Sequence, residues 1–344
     1  VTASPAPLLL AVDGNSLLHR AYHAAPFGPI ADAAGRPVWA LHGLIGFVAR
    51  AAARLRPDAL LVGFDCREHS HRRADFPDYK AHRPDKPGDL TTQLDLAPDV
   101  LRAATVPVAV PPGYEADDVL ASAAAATRGG GWRAVVMTSD RDAFALVDEA
   151  TSVLRVRNGG SGEAVMLTPA TLPSVCGVQA AQYPDLAALR GDPSDNLPGV
   201  TGFGTATAAK LLVEFGSIEA AWAEIDAGRL DAVRVVVGTR AATHLATAAA
   251  RETVARNRRL MAMRTDLDLP ALADTRLPLD LATMRTALRA HGINLGPSLW
   301  ALTGGSPPPQ PEPEDEPDPV VWHLGPARNL AERRRPQPGQ LSLF

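Results

Sequence analysis

Nine carboxylates stand where a chain would place them to hold metal and phosphate: Asp13, Asp65, Glu115, Asp117, Asp118, Asp140, Asp142, Asp192 and Asp195. Asp13, Asp65 and Asp140 each close an apolar run with the look of a strand. In an open parallel sheet the carboxyl ends of the strands share one edge, and ligands bind there. Carboxylates far apart in sequence then meet in space. Two unit charges ~4 Å apart repel by about 4 kcal/mol at an effective dielectric near 20, so a gathered set needs counter-charge. Mg²⁺ or Mn²⁺ supplies it with all-oxygen ligands and completes its shell with substrate phosphate. Nine carboxylates exceed the need of one ion. Two ions, roughly 3.5–4 Å apart, would clamp the attacking and leaving oxygens of an in-line phosphodiester hydrolysis.

Each carboxylate has a plainer reading when taken alone. Asp13, Asp65 and Asp140 could form turns or cap helices. Glu115, Asp117 and Asp118 open the helix-like EADDVLASAAAA, where the helix dipole favours acids anyway. Asp192 and Asp195, in GDPSDN, could cap a turn. Those readings leave unexplained why the same chemistry recurs at five places in one chain.

The elements that must position these groups follow from hydrophobic period. Strand signals lie near 8–12, 59–64, 106–110, 133–138 and 151–156, separated by helical patterns near 38–54, 90–104, 115–127 and 141–147. The alternation predicts an α/β fold, a twisted parallel sheet with helices on both faces. From about 169 the pattern is mainly helical, with long stretches at 204–225 and 239–264.

VDGNSLLHRAYHA, FDCREHSHRRADFPDYKAHRP, GYEADDVLA, TSDRDAFALV and GDPSDNLPGVTGFGTATAAKLL resemble, in order and spacing, the 5′-3′ exonuclease domain of bacterial DNA polymerase I and its flap-endonuclease relatives. The resemblance covers roughly residues 8 to 300, and five ordered motifs are far more specific than one. It implies a PIN-like, structure-specific nuclease that removes 5′ ends and 5′ flaps by two-metal chemistry. Asp13, Asp65, Glu115 and Asp117 would hold the first ion, with Asp118 beside it; Asp140, Asp142, Asp192 and Asp195 would hold the second, directly or through water. Arg72, Lys80 and Arg83 fall on the family's basic positions, in an arch near 67–100 that spans the active site. They would grip the scissile phosphate. Tyr79 would add a stacking surface for a single strand. Gly199, Gly202 and Gly204 match a helix-hairpin-helix element that grips duplex backbone, with K⁺ at its carbonyls, ahead of a helix bearing Lys210. Thr205 and Ala206 depart from the acidic-basic pair common there, which predicts weaker duplex affinity or a larger share for Lys210.

Composition agrees with a monomeric cytoplasmic, nucleoid-associated enzyme without a membrane span. There is no basic leader before the first apolar run and no stretch of bilayer length. Cys66 and Cys176 lack metal-ligand spacing and suggest no disulfide framework; Cys66 reads as a small buried residue. Net charge is −4, but setting the nine carboxylates aside as metal-neutralised leaves residues 1–304 at +7, fit to face phosphate.

The chain divides into a nuclease core over 1–175, a helical DNA-binding region over 176–304 and a Pro-rich, disordered tail over 305–344. The tail cannot hold a polymerase domain, so a standalone nuclease is expected. Its final residues, Gln340, Leu341, Ser342, Leu343 and Phe344, resemble the clamp-binding peptide of bacterial replication proteins. The expected partners are DNA with 5′ flaps, nicks or 5′ ends, RNA-DNA hybrids and the sliding clamp. The alternative is a non-catalytic junction-binding factor tethered to the clamp, since folds outlive activities. A PIN-type ribonuclease is disfavoured by the glycine hairpin and the second acid set.

Overall fold

The computed structural model describes residues 5–24, 30–156, 163–307 and 321–323. Strand β1 (Leu8–Asp13) is buried along its whole length, and successive side chains alternate between two cores. Leu8, Leu10 and Val12 enter one; Leu9 and Ala11 enter the other. A strand with period-two side chains and both faces covered must read as a continuous apolar run. β2 (Ala59–Gly63) and β4 (Arg133–Thr138) flank β1, both in parallel. β3 (Val108–Ala109) extends the sheet beyond β2, and β5 (Thr151–Val156) extends it beyond β4.

The chain leaves β1 to one side for β2 and returns to its other side for β4. Strand order therefore reverses at β1, and a crevice opens there beyond the carboxyl ends. Helices α1 (Gly14–His23), α2 (Trp39–Leu55) and α4 (Gly88–Ala103) cover the first face together with α13 (Leu281–Ala290) and α14 (Trp300–Thr303). The second face carries α5 (Ala116–Gly129), α6 (Leu172–Cys176), α7 (Tyr183–Arg190) and α8 (Thr205–Phe215). A short helix, α3 (His71–Asp75), lies in the arch.

Four expectations change. The sheet is mixed, because β6 (Glu163–Leu167) runs antiparallel to β5 and β9 (Val321–His323) antiparallel to β6. The tail is thus not wholly disordered: β9 adds backbone hydrogen bonds to an edge that would otherwise be bare. The segment near 141–147 is a 3₁₀ turn, Asp142–Leu146, rather than an α-helix. The first long helical stretch breaks at Gly216 into α8 and α9 (Ile218–Asp226), the second breaks near Ala246 into α11 (Thr239–Leu245) and α12 (Ala248–Met261), and α10 (Leu230–Val237) lies between them. Gly216 ends α8 at φ +82°, a left-handed position suited to glycine.

Both cysteines are free, Cys66 half-buried rather than buried and Cys176 buried. Among the described residues no helix is long and apolar enough to cross a membrane. Gln340, Leu341, Leu343 and Phe344 lie outside the described residues.

Candidate active site

The crevice beside β1 gathers the first acids. Asp13 ends β1 and caps α1, accepting from the Ser16 N–H at 2.8 Å and the Thr138 hydroxyl at 2.7 Å. The Ser16 and Ser139 hydroxyls also touch, tying the end of β4 to α1. Asp65, just past β2, accepts from Asn15 Nδ2 at 2.7 Å and the Ala116 N–H at 2.9 Å. Asn15 returns the bond through its carbonyl, which accepts the Asp65 N–H at 3.0 Å. Sequence reasoning missed Asn15, Ser16, Thr138 and Ser139. Their only signal was their place one to three residues from a strand-ending acid.

Glu115 caps α5, whose first turn carries Asp117 and Asp118. Burial works to raise the Glu115 pKa, but the Lys80 and Arg72 charges outweigh it and hold the group low. Asp117 goes the other way. Burial, then the charges of Asp140, Asp13 and Asp142, push it well above the ordinary range. Asp13 rises to about 7, by burial first and then through Asp65 and Asp140. Asp142, opening the 3₁₀ turn after β4, also rises to about 7, through burial and then Asp140, Asp192 and Asp195. The two acid sets therefore share one field, with Asp140 and Asp142 between them. Oδ1 of Asp117 and Oδ1 of Asp142 are buried without a hydrogen-bond partner.

Among the described residues no three acid, His or Cys side chains stand as a ready ligand set. The carboxylates spread instead toward N–H and hydroxyl donors. Asp140 accepts from the Asp142 N–H at 3.0 Å, and Asp192 accepts from the N–H and hydroxyl of Ser194, both at 2.7 Å.

Lys80 joins the sets. Its ammonium lies 2.9 Å from Glu115 and 3.8 Å from Asp195, and its N–H donates to the Asp195 carbonyl at 3.0 Å. Burial alone would lower its pKa, but Glu115 and Asp195 outweigh burial and raise it, so it stays charged. Arg83 reaches the same acid, with Nη2 at 2.5 Å from Asp195 Oδ1.

Four sequence-based assignments are corrected. Arg72 has no donor left for phosphate. Nε donates to the Leu260 carbonyl, Nη1 to Glu115 and Asp118, and Nη2 to Asp118 and the Ala262 carbonyl. Asp118, 1% exposed, is the other half of that fork and also accepts the Arg264 N–H and the Glu115 N–H. Its oxygens are committed to structure, not turned to the acid field. Tyr79 is 4% exposed, packs with Leu197 and Leu260, and donates to Glu115 at 3.1 Å; a buried ring offers no face to a base. Gly199 is a packing glycine, because a Cβ there would lie 2.2 Å from the Arg190 carbonyl oxygen.

The rest of the glycine hairpin is open. It links α7 to α8 through a small antiparallel pair, β7 (Gly191–Asp192) with β8 (Leu197–Pro198), which carries Asp192 and Asp195 toward the crevice. Gly202 needs its glycine at φ +90°, with Ala241 close by. Gly204 caps α8, and a Cβ added there would meet nothing within 4 Å, so the first amides of that helix are accessible. Lys210 is exposed on α8, farther along beside Val213 and Glu214.

The raised acids set a sign for pH dependence. Asp13 and Asp142 move from 3.8 to about 7 on folding, so the folded state binds these protons more tightly. Their contribution to stability is complete below about pH 4 and is lost as pH rises through about 7, on the order of a few kcal/mol. Thermal unfolding in EDTA should show a midpoint that falls between about pH 5 and about pH 8, with added Mg²⁺ restoring it mainly at the higher pH. A metal increment independent of pH would contradict this reading of the acid field.

A mixed sheet with an acidic crevice at the switch point of its parallel strands, followed by a helical hairpin region, is a fold seen in solved nucleases. The bacteriophage T5 5′-exonuclease with bound zinc matches at a TM-score of 0.58 and 20% identity, covering 82% of this chain and 99% of that one. Human GEN1 in complex with Holliday junction DNA matches at 0.54 and 16% identity, covering 86% of this chain and 71% of that one.

Sequence comparison then narrows the class. Residues 8–173 match the 5′-3′ exonuclease N-terminal resolvase-like domain, and residues 178–283 match the 5′-3′ exonuclease C-terminal SAM fold. A 5′-3′ exonuclease of Streptomyces coelicolor is 39% identical over 62% of this chain and 74% of its own length. DNA polymerase I of Mycobacterium leprae is 38% identical over 78% of this chain but only 28% of its own length. The chain belongs to the 5′-3′ exonuclease family. It spans about a quarter of the length of the DNA polymerase I relatives.

Proposed function

We propose that this chain is a structure-specific 5′ nuclease, hydrolysing phosphodiester bonds at 5′ ends and 5′ flaps of DNA and of RNA primers, in lagging-strand processing and repair. The observation that carries the reading is the pair of orphaned buried oxygens, Asp117 Oδ1 and Asp142 Oδ1, one from each acid set. A buried charge without a hydrogen bond is costly unless a cation completes it. Hard divalent ions fit that donor set, and Mg²⁺ with Mn²⁺ as substitute is the natural choice. Asp13, Asp65, Glu115 and Asp117 would hold one ion and Asp140, Asp142, Asp192 and Asp195 the other. When bound, the ions supply an activated water and offset phosphate charge.

The chain's own residues do the rest. Thr138 and Ser16 orient Asp13, while Asn15 and the Ala116 N–H orient Asp65. Lys80, poised between the sets, would turn its ammonium to a non-bridging oxygen of the scissile phosphate as charge builds there. Arg83 backs it from Asp195. Gly202, Gly204 and the start of α8 would hold duplex backbone, with K⁺ at the hairpin carbonyls.

Cleavage of a labelled 5′ flap with Mg²⁺, with Mn²⁺ and with EDTA tests the proposal. Cutting that requires the ion supports it, and binding without cutting would instead indicate a junction-binding factor. In the same assay Lys80→Ala should lower the single-turnover rate by about a hundredfold while duplex affinity changes little. Loss of affinity at an unchanged rate would move Lys80 to the outer grip.

The terminal Gln340, Leu341, Leu343 and Phe344 would anchor the nuclease to the sliding clamp through two or three apolar side chains. A peptide of residues 336–344 should bind the clamp at about micromolar Kd. Deleting 340–344 should abolish clamp binding and leave cleavage of free flaps intact; equal clamp binding by both forms would rule the anchor out.

A further inference from the structure

A cleft of about 530 Å³ opens between the arch helix α3 and the chain at the end of α12, a volume within the range of about 300–1,000 Å³ usual for small-molecule sites. Its floor is the buried Arg72–Asp118 fork. Of the nine carboxylates, Asp118 alone lines it among the described residues, so the cleft is a separate space from the acid field. Its walls are pinned to each other. Arg72 Nε and Nη2 donate to the carbonyls of Leu260 and Ala262 at 2.8 and 3.2 Å, and the Arg264 N–H donates to Asp118 at 2.9 Å. Ser122 on α5 donates its hydroxyl to the Arg264 carbonyl at 3.0 Å and accepts the Leu267 N–H at 3.2 Å. A ligand entering here has little protein left to order.

The lining has two kinds of chemistry. The half-buried Tyr114 ring lies 4.6 Å from the His71 ring, and the Arg264 guanidinium stands 5.7 Å from its centroid. His71 comes this close because Gly113 lacks a side chain; a Cβ there would lie 2.5 Å from His71 Nε2. A phenol ring beside a guanidinium plane is a surface for a flat base. The second kind is charge. Three guanidiniums, Arg72, Arg259 and Arg264, line the cleft against two carboxylates, Asp75 and Asp118, which leaves one positive charge in excess. Arg72 is spent on its fork, but the other two are held only at the surface. Arg259 pairs with Asp75 at 2.9 Å and Arg264 with Asp266 at 2.7 Å, and those acids are 54% and 64% exposed. Exposed pairs of this kind contribute little, so either guanidinium can turn to a phosphate at small cost.

We propose that this cleft seats one unpaired nucleotide, its base on Tyr114 and its phosphate on Arg264 and Arg259. The nuclease reading supplies the source of that nucleotide, which is either a flap nucleotide still attached to its strand or the mononucleotide released from a 5′ end. Binding itself needs neither metal nor cleavage.

Calorimetric titration of the full chain in EDTA with dAMP, deoxyadenosine and inorganic phosphate tests the proposal. Wild type should bind dAMP at a Kd of about 1 mM or below. Deoxyadenosine and phosphate should each bind at least about tenfold more weakly, since each makes only one kind of contact. Tyr114→Leu and Arg264→Gln should each weaken dAMP about tenfold. Arg264→Gln keeps the backbone N–H that reaches Asp118, and Arg259→Gln stands in if Tyr114→Leu folds poorly. If the seat serves an attached flap, the same variants lose about tenfold in affinity for 5′-flap DNA in EDTA and nothing for nicked DNA without a flap. If it serves the released product, both affinities stay as in wild type, and inhibition of flap cleavage by added dAMP is lost in the variants. Equal dAMP binding by wild type and variants, or dAMP that binds no better than phosphate, would overturn the proposal. A wild type that binds dAMP through Tyr114 and Arg264 but cuts neither flaps nor 5′ ends would defeat the nuclease reading and leave this seat standing.

Discussion

Replacing Asp117 with asparagine should lower flap cleavage by about a thousandfold, ~4 kcal/mol of barrier, and at the same time make the metal-free protein more stable near neutral pH. The two effects share one cause. Asp117 is half-buried, its Oδ1 is buried without a partner, and it faces the charges of Asp140, Asp13 and Asp142. Asparagine keeps the shape and removes the charge. The apo protein then loses a repulsion, while the loaded site loses a ligand. Flap turnover in Mg²⁺ and thermal unfolding in EDTA, run on the same preparation, check both halves. Near-wild-type turnover would remove Asp117 from the metal set, and an apo protein destabilised by the change would mean that its carboxylate is satisfied in some other way.

Arg72→Ala should act on the fold rather than the chemistry. Removing one partner of a buried, hydrogen-bonded ion pair costs about 3–5 kcal/mol, because the other charge is left uncompensated. Here that charge is Asp118, 1% exposed, in the first turn of α5. The same guanidinium also ties the arch to the carbonyls of Leu260 and Ala262, at the end of α12. Urea unfolding should show the loss, and Arg72→Ala combined with Asp118→Ala should recover part of it, since the stranded charge is then gone. Unchanged stability together with slower cleavage would return Arg72 to the phosphate.

The corrections share a pattern that explains what could be read in advance. Asp13, Asp65 and Asp140 were legible because a strand buried on both faces is a continuous apolar run, and the polar residue that ends it marks the sheet edge. Lys80 was legible through rarity, as one of three lysines among 34 basic residues. Arg72 and Lys80 belong to one stretch and one residue class, yet Arg72 turned toward Asp118 and Lys80 toward the gap between Glu115 and Asp195. Nothing in the local spelling separates them. Tyr79 likewise sits among cations like a stacking residue, but Leu197 and Leu260, more than a hundred residues away, bury it.

What the sequence determined by itself was the chemistry at hand and the frame that holds it. Period-two and helical patterns implied a two-faced parallel sheet, strand-ending acids implied a charged edge, and the ordered motifs implied the family. What only the tertiary structure decided was which charges were already spent. Asp118, Arg72, Gly199 and Tyr79 went to packing and pairing, while Asp117 and Asp142 were left with orphaned oxygens. Charge compensation is settled over a few ångströms in space, between groups that α3, α5, the β7–β8 hairpin and the end of α12 bring together from across the chain. Sequence order carries the type of each group and its nearest neighbours, but not the partner that reaches it from another element.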